Sequence, residues 1–581
     1  MSAEKLITDH IDIWTSAIQA KSASGRGSSK KRELYGIKKL RELILELAVR
    51  GKLVPQDPND EPASVLLERI AVEKAQLVKE GKIKKQKKLP SIDDDDYLFD
   101  IPSGWSWERL GNVGETNIGL TYSPKDAGET GIPVLRSANI QRGKIDLSDL
   151  VRVQKEVKDS VLVEIGDLLI CARNGSKALV GKTAQICELK EPMAFGAFMA
   201  IFRSCINDYI EVFLNSPVYR KNLEGVSTTT INQITQSNLR STICPIPPVE
   251  EQHRIVAKVD ELMALCDQLE QQTEASLDAH QVLVETLLAT LTNSQDATEL
   301  MANWTRISEH FDTLFTTEQS IDQLKQTILQ LAVMGKLVPQ DPNDEPAAIL
   351  LERIAEEKAQ LVKEKKIKKQ KALLPIAEDE KPFELPKGWE WCRVNDISLF
   401  TTSGSRDWAK YYSESGALFV TMGNLSRGSY DLRMDNLRYV KPPIDGEGSR
   451  TKLEPHDLLI SITGDVGNLG LIPEGFGEAY INQHTCLLRF MPECRDKFFP
   501  ELMRSPFAKL QFDAPQRGIK NSFRLSDVGE MVIPLPPKEE RTRITQKVDN
   551  MMSFCDQLKQ RLRDSQQTQL QLTDAIVEQA L

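Results

Sequence analysis

Across its 581 residues the chain has little that could do chemistry unaided. Nine cysteines occur without a CxxC pair, and six histidines lie scattered with no Cys/His or His/carboxylate group at ligand spacing. That argues against a zinc site and against a disulfide framework. No glycine fingerprint followed by an acidic residue is present for S-adenosylmethionine, no Asn/Asp-Pro-Pro-aromatic motif, and no nuclease cluster. The nearest Pro-Pro, at 442–443, follows Lys441. GSKALVGKT at 175–183 imitates a phosphate loop, but five residues separate Gly175 from Gly181 where the motif has four, and the flanking residues read as strand. There is no run of about 18 or more apolar residues and no basic-then-apolar signal pattern, so the expectation is a cytoplasmic protein without a membrane segment. Positive charge is also in short supply: the net charge is −10. Any reaction this protein takes part in is expected to be carried out by other chains.

What the chain does have is duplication. Residues 47–87 return at 331–371 with a displacement of 284 and differ only at positions 50, 64, 65, 72 and 81. Both copies hold LAV, one variable residue, GKLVPQDPNDEPA and a run ending in KIKKQK. FDIPSGWSWERL at 99–110 aligns with FELPKGWEWCRV at 383–394, and PIPPVEEQHRIVAKVDELMALCDQLEQ at 245–271 aligns with PLPPKEERTRITQKVDNMMSFCDQLKQ at 534–560. Between these landmarks the segments differ at almost every position. Shared flanks around unlike interiors imply one frame carrying two different readers.

The frame reads as helix. Ile255, Val259, Leu262, Cys266 and Leu269 follow a 4,3 spacing, as do Ile544, Val548, Met551, Cys555, Leu558 and Leu562, which predicts a coiled-coil seam in each copy with the cysteines as small buried hydrophobes. Each seam starts after Pro-Pro with acidic residues in the first turn, Glu250 and Glu251 or Glu539 and Glu540, suited to the positive end of a helix dipole. The basic runs 79–88 and 363–371 end helices starting near Pro62 and Pro346, where DNA backbone and partner contacts are both open. Leu581 corresponds to Thr292, and Trp304 to Leu331 resembles Trp14 to Leu47, apart from six extra residues around SASGRGSSKK. The repeat is therefore circular, and the two termini are expected to lie close together.

This order, with PIPP or PLPP followed by a coiled coil after each variable segment, resembles the specificity subunit of type I DNA restriction and modification enzymes. LAVxGKLVPQDPNDEPA at 47–63 and 331–347 is similar to the A family (type IB) in particular. The resemblance implies an α+β protein: two mixed, β-rich target recognition domains joined by long antiparallel coiled-coil helices, with pseudo-twofold symmetry. The expected parts are an N-terminal helical region 1–103, recognition domain one 104–244, a central helical region 245–387, recognition domain two 388–533 and a C-terminal helix 534–581. It also implies the partners: double-stranded DNA, two modification subunits and restriction/translocase subunits, with S-adenosylmethionine, ATP and Mg held by those partners and no cofactor on this chain. In that family each recognition domain reads half of a split site; because a twofold-like reader meets successive major grooves on one DNA face, half-site centres are expected about one helical turn apart, roughly 10 bp.

Charge supports this only weakly. Residues 104–244 hold 16 Lys+Arg against 15 Asp+Glu, net +1; residues 388–533 hold 17 against 19, net −2. Recognition must then rest on local clusters. Val134–Lys144 aligns with Phe419–Ser429 as strand, Asn-containing bend and basic turn. It offers Arg136, Asn139 and Arg142 in one domain and Thr421, Asn424 and Arg427 in the other. The apolar strands at 167–171 and 457–461 run into polar glycine loops offering Arg173, Asn174, Ser176 and Lys177, against Thr463, Asp465 and Asn468. A third correspondence, 228–235 with 518–525, adds Thr229, Asn232, Lys520 and Asn521. Arg binds guanine and Asn or Gln binds adenine through paired hydrogen bonds, and loops on a rigid sheet suit that use. Val218, Tyr219, Phe507 and Leu510 on the preceding amphipathic helices are expected to pack inward. On the residues alone, a coiled-coil scaffold displaying two protein-binding domains and a DNA-binding repressor acting alone remain open.

Overall fold

The computed structural model describes residues 3–20, 32–226, 233–295, 297–369, 373–406, 408–443, 448–514 and 523–581. The inserted loop around 22–31 lies outside them. The chain divides into two compact units: residues 1–276 with 565–581, and residues 277–564. Both are mixtures of helix and sheet.

In the first unit the helix α1 (Tyr35–Val49) buries Ile37, Leu40, Leu43, Ile44 and Leu47, a spacing that repeats each turn. A second helix, α2 (Ala63–Lys79), follows Pro62 and ends in a left-handed Gly81: the Gly81 and Lys82 amides donate to the Val78 and Leu77 carbonyls. The basic run therefore lies mostly beyond the helix rather than within it. The first variable segment opens and closes on one antiparallel pair, β1 (Ser106–Arg109) against β10 (Ile243–Ile246). Inside it, β2 (Glu115–Ile118), β3 (Ala127–Gly128), β4 (Ile132–Leu135), β5 (Val151–Val153), β6 (Leu168–Cys171), β7 (Thr183–Gln185), β8 (Ala194–Phe195) and β9 (Met199–Arg203) form two four-stranded sheets. Their orders are β7-β6-β9-β2, all antiparallel, and β8-β4-β5-β3, in which β8 and β4 run parallel. The central strand β6 is LLIC, buried at every residue, as expected for a strand covered on both faces.

The second unit repeats this plan. Its closing pair is β11 (Glu390–Arg393) against β20 (Val532–Leu535). Between them lie β12 (Ser398–Ser403), β13 (Tyr412–Ser413), β14 (Ala417–Val420), β15 (Arg438–Val440), β16 (Leu458–Ser461), β17 (Leu469–Leu471), β18 (Ala479–Ile481) and β19 (Thr485–Phe490). The sheet orders, β17-β16-β19-β12 and β18-β14-β15-β13, match the first unit strand for strand. Gly119 and Gly404 occupy one equivalent crowded place: a Cβ there would lie 2.2 Å from the Gly196 carbonyl oxygen or 1.9 Å from that of Ile481. Only glycine fits so close an approach.

Two long helices complete the frame: α3 (Val249–Asn293) and α6 (Lys538–Ala580). In the first unit Ile255, Val259, Leu262, Cys266 and Leu269 are buried as the heptad spacing predicts, together with Ile576 from the carboxyl end and with Leu6, Ile7 and Trp14. Asp574 accepts from the Tyr35 hydroxyl at 2.7 Å, and the Lys52 ammonium caps the Leu581 carbonyl. The carboxyl end of the chain thus closes onto α1 and the loop that follows it. In the second unit the equivalents of α1 and α2 are α4 (Glu318–Val333) and α5 (Ala347–Lys363), and Lys336 caps the Thr292 and Ser294 carbonyls, where Lys52 caps Leu581. Along α4, Glu318, Asp322 and Lys325 pair with Arg563, Lys559 and Asp556 of α6. One series rises by 4 and 3 as the other falls by 4 and 3, so these two helices are antiparallel.

The near-identical segments serve a matched clasp in each unit. Glu251 accepts from the Trp105 indole at 2.9 Å and from Gln56 at 2.8 Å. Glu540 accepts from Trp389 at 2.9 Å and Gln340 at 3.1 Å. Asp60 pairs with Arg254 and Asp344 with Arg543, each at 2.5 Å. One loop (VPQDPND), one tryptophan and one helix start are thereby tied together, which is why these residue types recur. Glu251 and Glu540 are buried and hydrogen-bonded, so their place goes beyond the dipole role expected of them.

Candidate nucleic-acid interface

The first motif folds as the alignment suggests but presents different side chains. After β4 the chain turns at Ser137–Asn139, and the Asn139 oxygen accepts from the Arg136 amide at 2.9 Å while its amide group donates to the Asp146 and Asp149 carbonyls, both at 2.9 Å. Asn139 is 1% exposed. Asn424, 4% exposed, does the same for Thr421 and the Arg433 carbonyl. These two amides are occupied in closing loops, so the structure gives them a positioning role rather than a base-facing one. Arg136 is half-buried and pairs with Asp149 at 3.1 Å. Arg142 is exposed in a left-handed conformation (φ 51°) beside Gly143 at the tip of the hairpin 140–145.

The second motif divides into frame and display. Asp167 is held by Arg203 at 2.7 Å and Asp457 by Arg489 at 2.7 Å, each carboxylate 1% exposed. A neighbouring glutamate, Glu164 or Glu454, completes each network at 2.5 Å. The loops that follow differ in length: β6 ends at Cys171 and β7 starts at Thr183, whereas β16 ends at Ser461 and β17 starts at Leu469. Arg173, Ser176 and Lys177 are exposed; Asn174 accepts the Ser176 amide at 3.0 Å and donates to Ser137 at 3.3 Å, joining the second motif to the first. In the other domain Arg427 pairs with Asp465 at 2.5 Å and donates to the Val466 carbonyl at 3.0 Å, while Asn468, 6% exposed, braces Asp465 at 3.0 Å. The Arg427–Asp465 pair is exposed on both sides, so it contributes little to stability.

The third motif meets the second through the backbone. The Ile234 amide donates to the Ala172 carbonyl at 2.7 Å and the Phe523 amide to the Ile462 carbonyl at 2.9 Å. Thr229, Asn232, Lys520 and Asn521 lie outside the described residues. Val218, Tyr219 and Phe507 are buried as expected, but Leu510 is 72% exposed. It sits on the outward face of a helix of only 8 residues, too short to bury two sides.

Sequence reading missed one part of this rim. Phe198, 60% exposed, immediately precedes β9, and the Arg173 guanidinium lies over its ring at 5.3 Å. At the equivalent place before β19, His484 bonds to the Thr463 hydroxyl at 2.8 Å and to Gln483 at 2.9 Å. No shared residue marks these positions, so only strand pairing aligns them. Among the described residues no group of three or more His, Cys, Asp or Glu could hold a metal ion, and no helix is long and apolar enough to cross a membrane.

Comparison with known proteins decides the family. The type I restriction modification DNA specificity domain matches residues 102–279. The specificity subunit of the type I restriction enzyme EcoAI from Escherichia coli is 42% identical over the whole of both chains. The chain belongs to the type I specificity subunits. The EcoEI specificity subunit, also from Escherichia coli, is likewise 42% identical over both full lengths. A solved chain from a study of type I R-M complex assembly and conformational transition shares the fold, with a TM-score of 0.50 at 18% identity over 83% of this chain and 98% of that one. As a specificity subunit this protein recognises DNA sequence within a restriction-modification complex and is not itself catalytic. Its likeness to the A family, first read from LAVxGKLVPQDPNDEPA, accords with these relatives.

Proposed function

We propose that each recognition domain, 104–244 and 388–533, reads one half of an interrupted DNA site, that the long helices set the distance between the halves, and that the chain works in the cytoplasm with two modification subunits and with restriction subunits. Adenine methylation and cleavage are done by those partners, which hold the S-adenosylmethionine, ATP and Mg. The observation that carries this reading is that two units of one strand order and one clasp end in loops of different length and chemistry. A frame built twice with different tips suits a target of two unlike halves.

Surface candidates for DNA contact are Arg136, Arg142, Arg173, Asn174, Ser176 and Lys177 in one domain and Thr421, Arg427, Thr463 and Asp465 in the other. Asn139, Asn424 and Asn468 support them, and Thr229, Asn232, Lys520 and Asn521 are added on sequence grounds. Docking of two copies of one partner is supported by apolar side chains left exposed at matching places: Val65 and Ile349, Leu265 and Phe554, Leu283 and Leu572. A single apolar residue on a surface needs no explanation, but three exposed at both copies of a repeat form a pattern.

Replacing residues 104–244 by the variable domain of another specificity subunit and sequencing the methylated sites tests the proposal. One half-site is expected to change while the other and the gap persist. A change in both halves, or in neither, would overturn it.

A further inference from the structure

The rim where β6 and β9 end is built by the same backbone bonds as the rim where β16 and β19 end. The Ala172 amide donates to the Phe198 carbonyl at 3.0 Å, and the Ile462 amide to the His484 carbonyl at 3.0 Å. Register fixes the correspondence: Met199 faces Cys171 as Thr485 faces Ser461. Phe195 lies beside Leu135 as Ile481 lies beside Val420. Arg173, Ala197 and Phe198 are therefore the positional equivalents of Thr463, Gln483 and His484. Backbone is held constant here while all three side chains differ in kind, the pattern expected where a shared scaffold reads different bases.

We infer that these three positions determine base specificity in each domain: the first reads a guanine through Arg173 laid on Phe198, and the second reads an adenine through Gln483 braced by His484 and Thr463. This rests on the half-site reading above. An arginine fork matches guanine O6 and N7, and a planar ring beneath it fixes the plane of the fork before DNA arrives, so less freedom is lost on binding. A carboxamide matches adenine N6 and N7, and the His484 contact to Gln483, with Thr463 on the far ring nitrogen, holds that amide in one orientation. Ala197 has no side chain that could make such a contact in the first domain, where Arg173 takes the role.

The test is carried out on the complete enzyme in cells, with genomic methylation read at single-base resolution. Arg173→Lys keeps the charge and loses the fork; it is expected to relax one guanine position of one half-site by about tenfold or more while every other position stays fixed. Gln483→Ala should relax one adenine position in the other half. The triple variant Arg173→Thr, Ala197→Gln, Phe198→His is expected to exchange guanine for adenine at a single position. Methylation that weakens uniformly with an unchanged motif would overturn this inference and leave the half-site proposal standing. A parent enzyme whose motif is not interrupted would overturn that proposal instead. Should the triple variant fail to assemble with its modification subunits, the two single variants decide.

Discussion

Glu211 packs against the strand Thr183–Gln185, where its carboxylate accepts the Gln185 amide at 3.1 Å. Burial, with Asp260 and Asp208 nearby, pushes its carboxyl up to about 7, against the lowering effect of the amide bond. The folded state thus holds this proton more tightly than the unfolded chain does. Its contribution is fully present below the unfolded value of 4.5 and is lost as pH rises to about 7. Glu211→Gln keeps an acceptor for the Gln185 amide and removes the charge. It is expected to raise urea resistance at pH 8 by about 2 kcal/mol and to change nothing near pH 4; equal effects at the two pH values would show that the carboxyl is not the source. The ion pair of Glu318 behaves oppositely. Its bond to Arg563 holds the carboxyl down at about 2, so that contact is lost only in strong acid.

At the level of elements, the two copies of one helix end give a natural comparison. The helix Ala63–Lys79 stops at Gly81 (φ 73°), whereas its counterpart, Ala347–Lys363, stops at Lys365 (φ 58°) with the same amide bonds to the Val362 and Leu361 carbonyls. A side chain in the left-handed region costs about 1 kcal/mol that glycine does not. Lys365→Gly is therefore expected to raise the stability of the second unit by about that amount, read as a shift in its unfolding midpoint, and Gly81→Lys to lower the first by a similar step. Unchanged midpoints in both variants would mean that the cap is frayed in solution. The exchange of Gly81 for Lys365 is one of the few differences within the near-identical block, and nothing in the structure explains why the second copy keeps lysine.

For the whole molecule, the proposal that helices set the half-site gap makes a length prediction. Removing one heptad from each long helix, residues 273–279 and their equivalents 562–568, shortens the rod by about 10 Å at 1.5 Å per residue. The gap in the methylated sequence is then expected to shrink by roughly 3 bp, at 3.4 Å per base pair. A variant that assembles with its modification subunits yet methylates sites of the original spacing would remove the helices from that role. Both deletions leave in place the seam residues Ile255 to Leu269 and Ile544 to Leu558, which pack into the core of each unit, while the second also removes the last seam residue, Leu562, and Arg563, the partner of Glu318.

The sequence by itself determined the repeat, the helical frame, its seam and the closing of the carboxyl end onto the first unit, because helix periodicity and duplicated motifs are local signals that need no knowledge of distant partners. It also marked the three pairs of loop segments that correspond between the two variable domains. Only the tertiary structure decided which polar side chains those loops display. Asn139, Asn424 and Asn468 are drawn inward by carbonyls and carboxylates that the turns bring round, and Asp167 and Asp457 by arginines on a neighbouring strand. Phe198, Gln483 and His484 reach the rim through pairing of strands more than 20 residues apart. A side chain's exposure at a loop is set by such long-range backbone pairing, and a single sequence does not carry it.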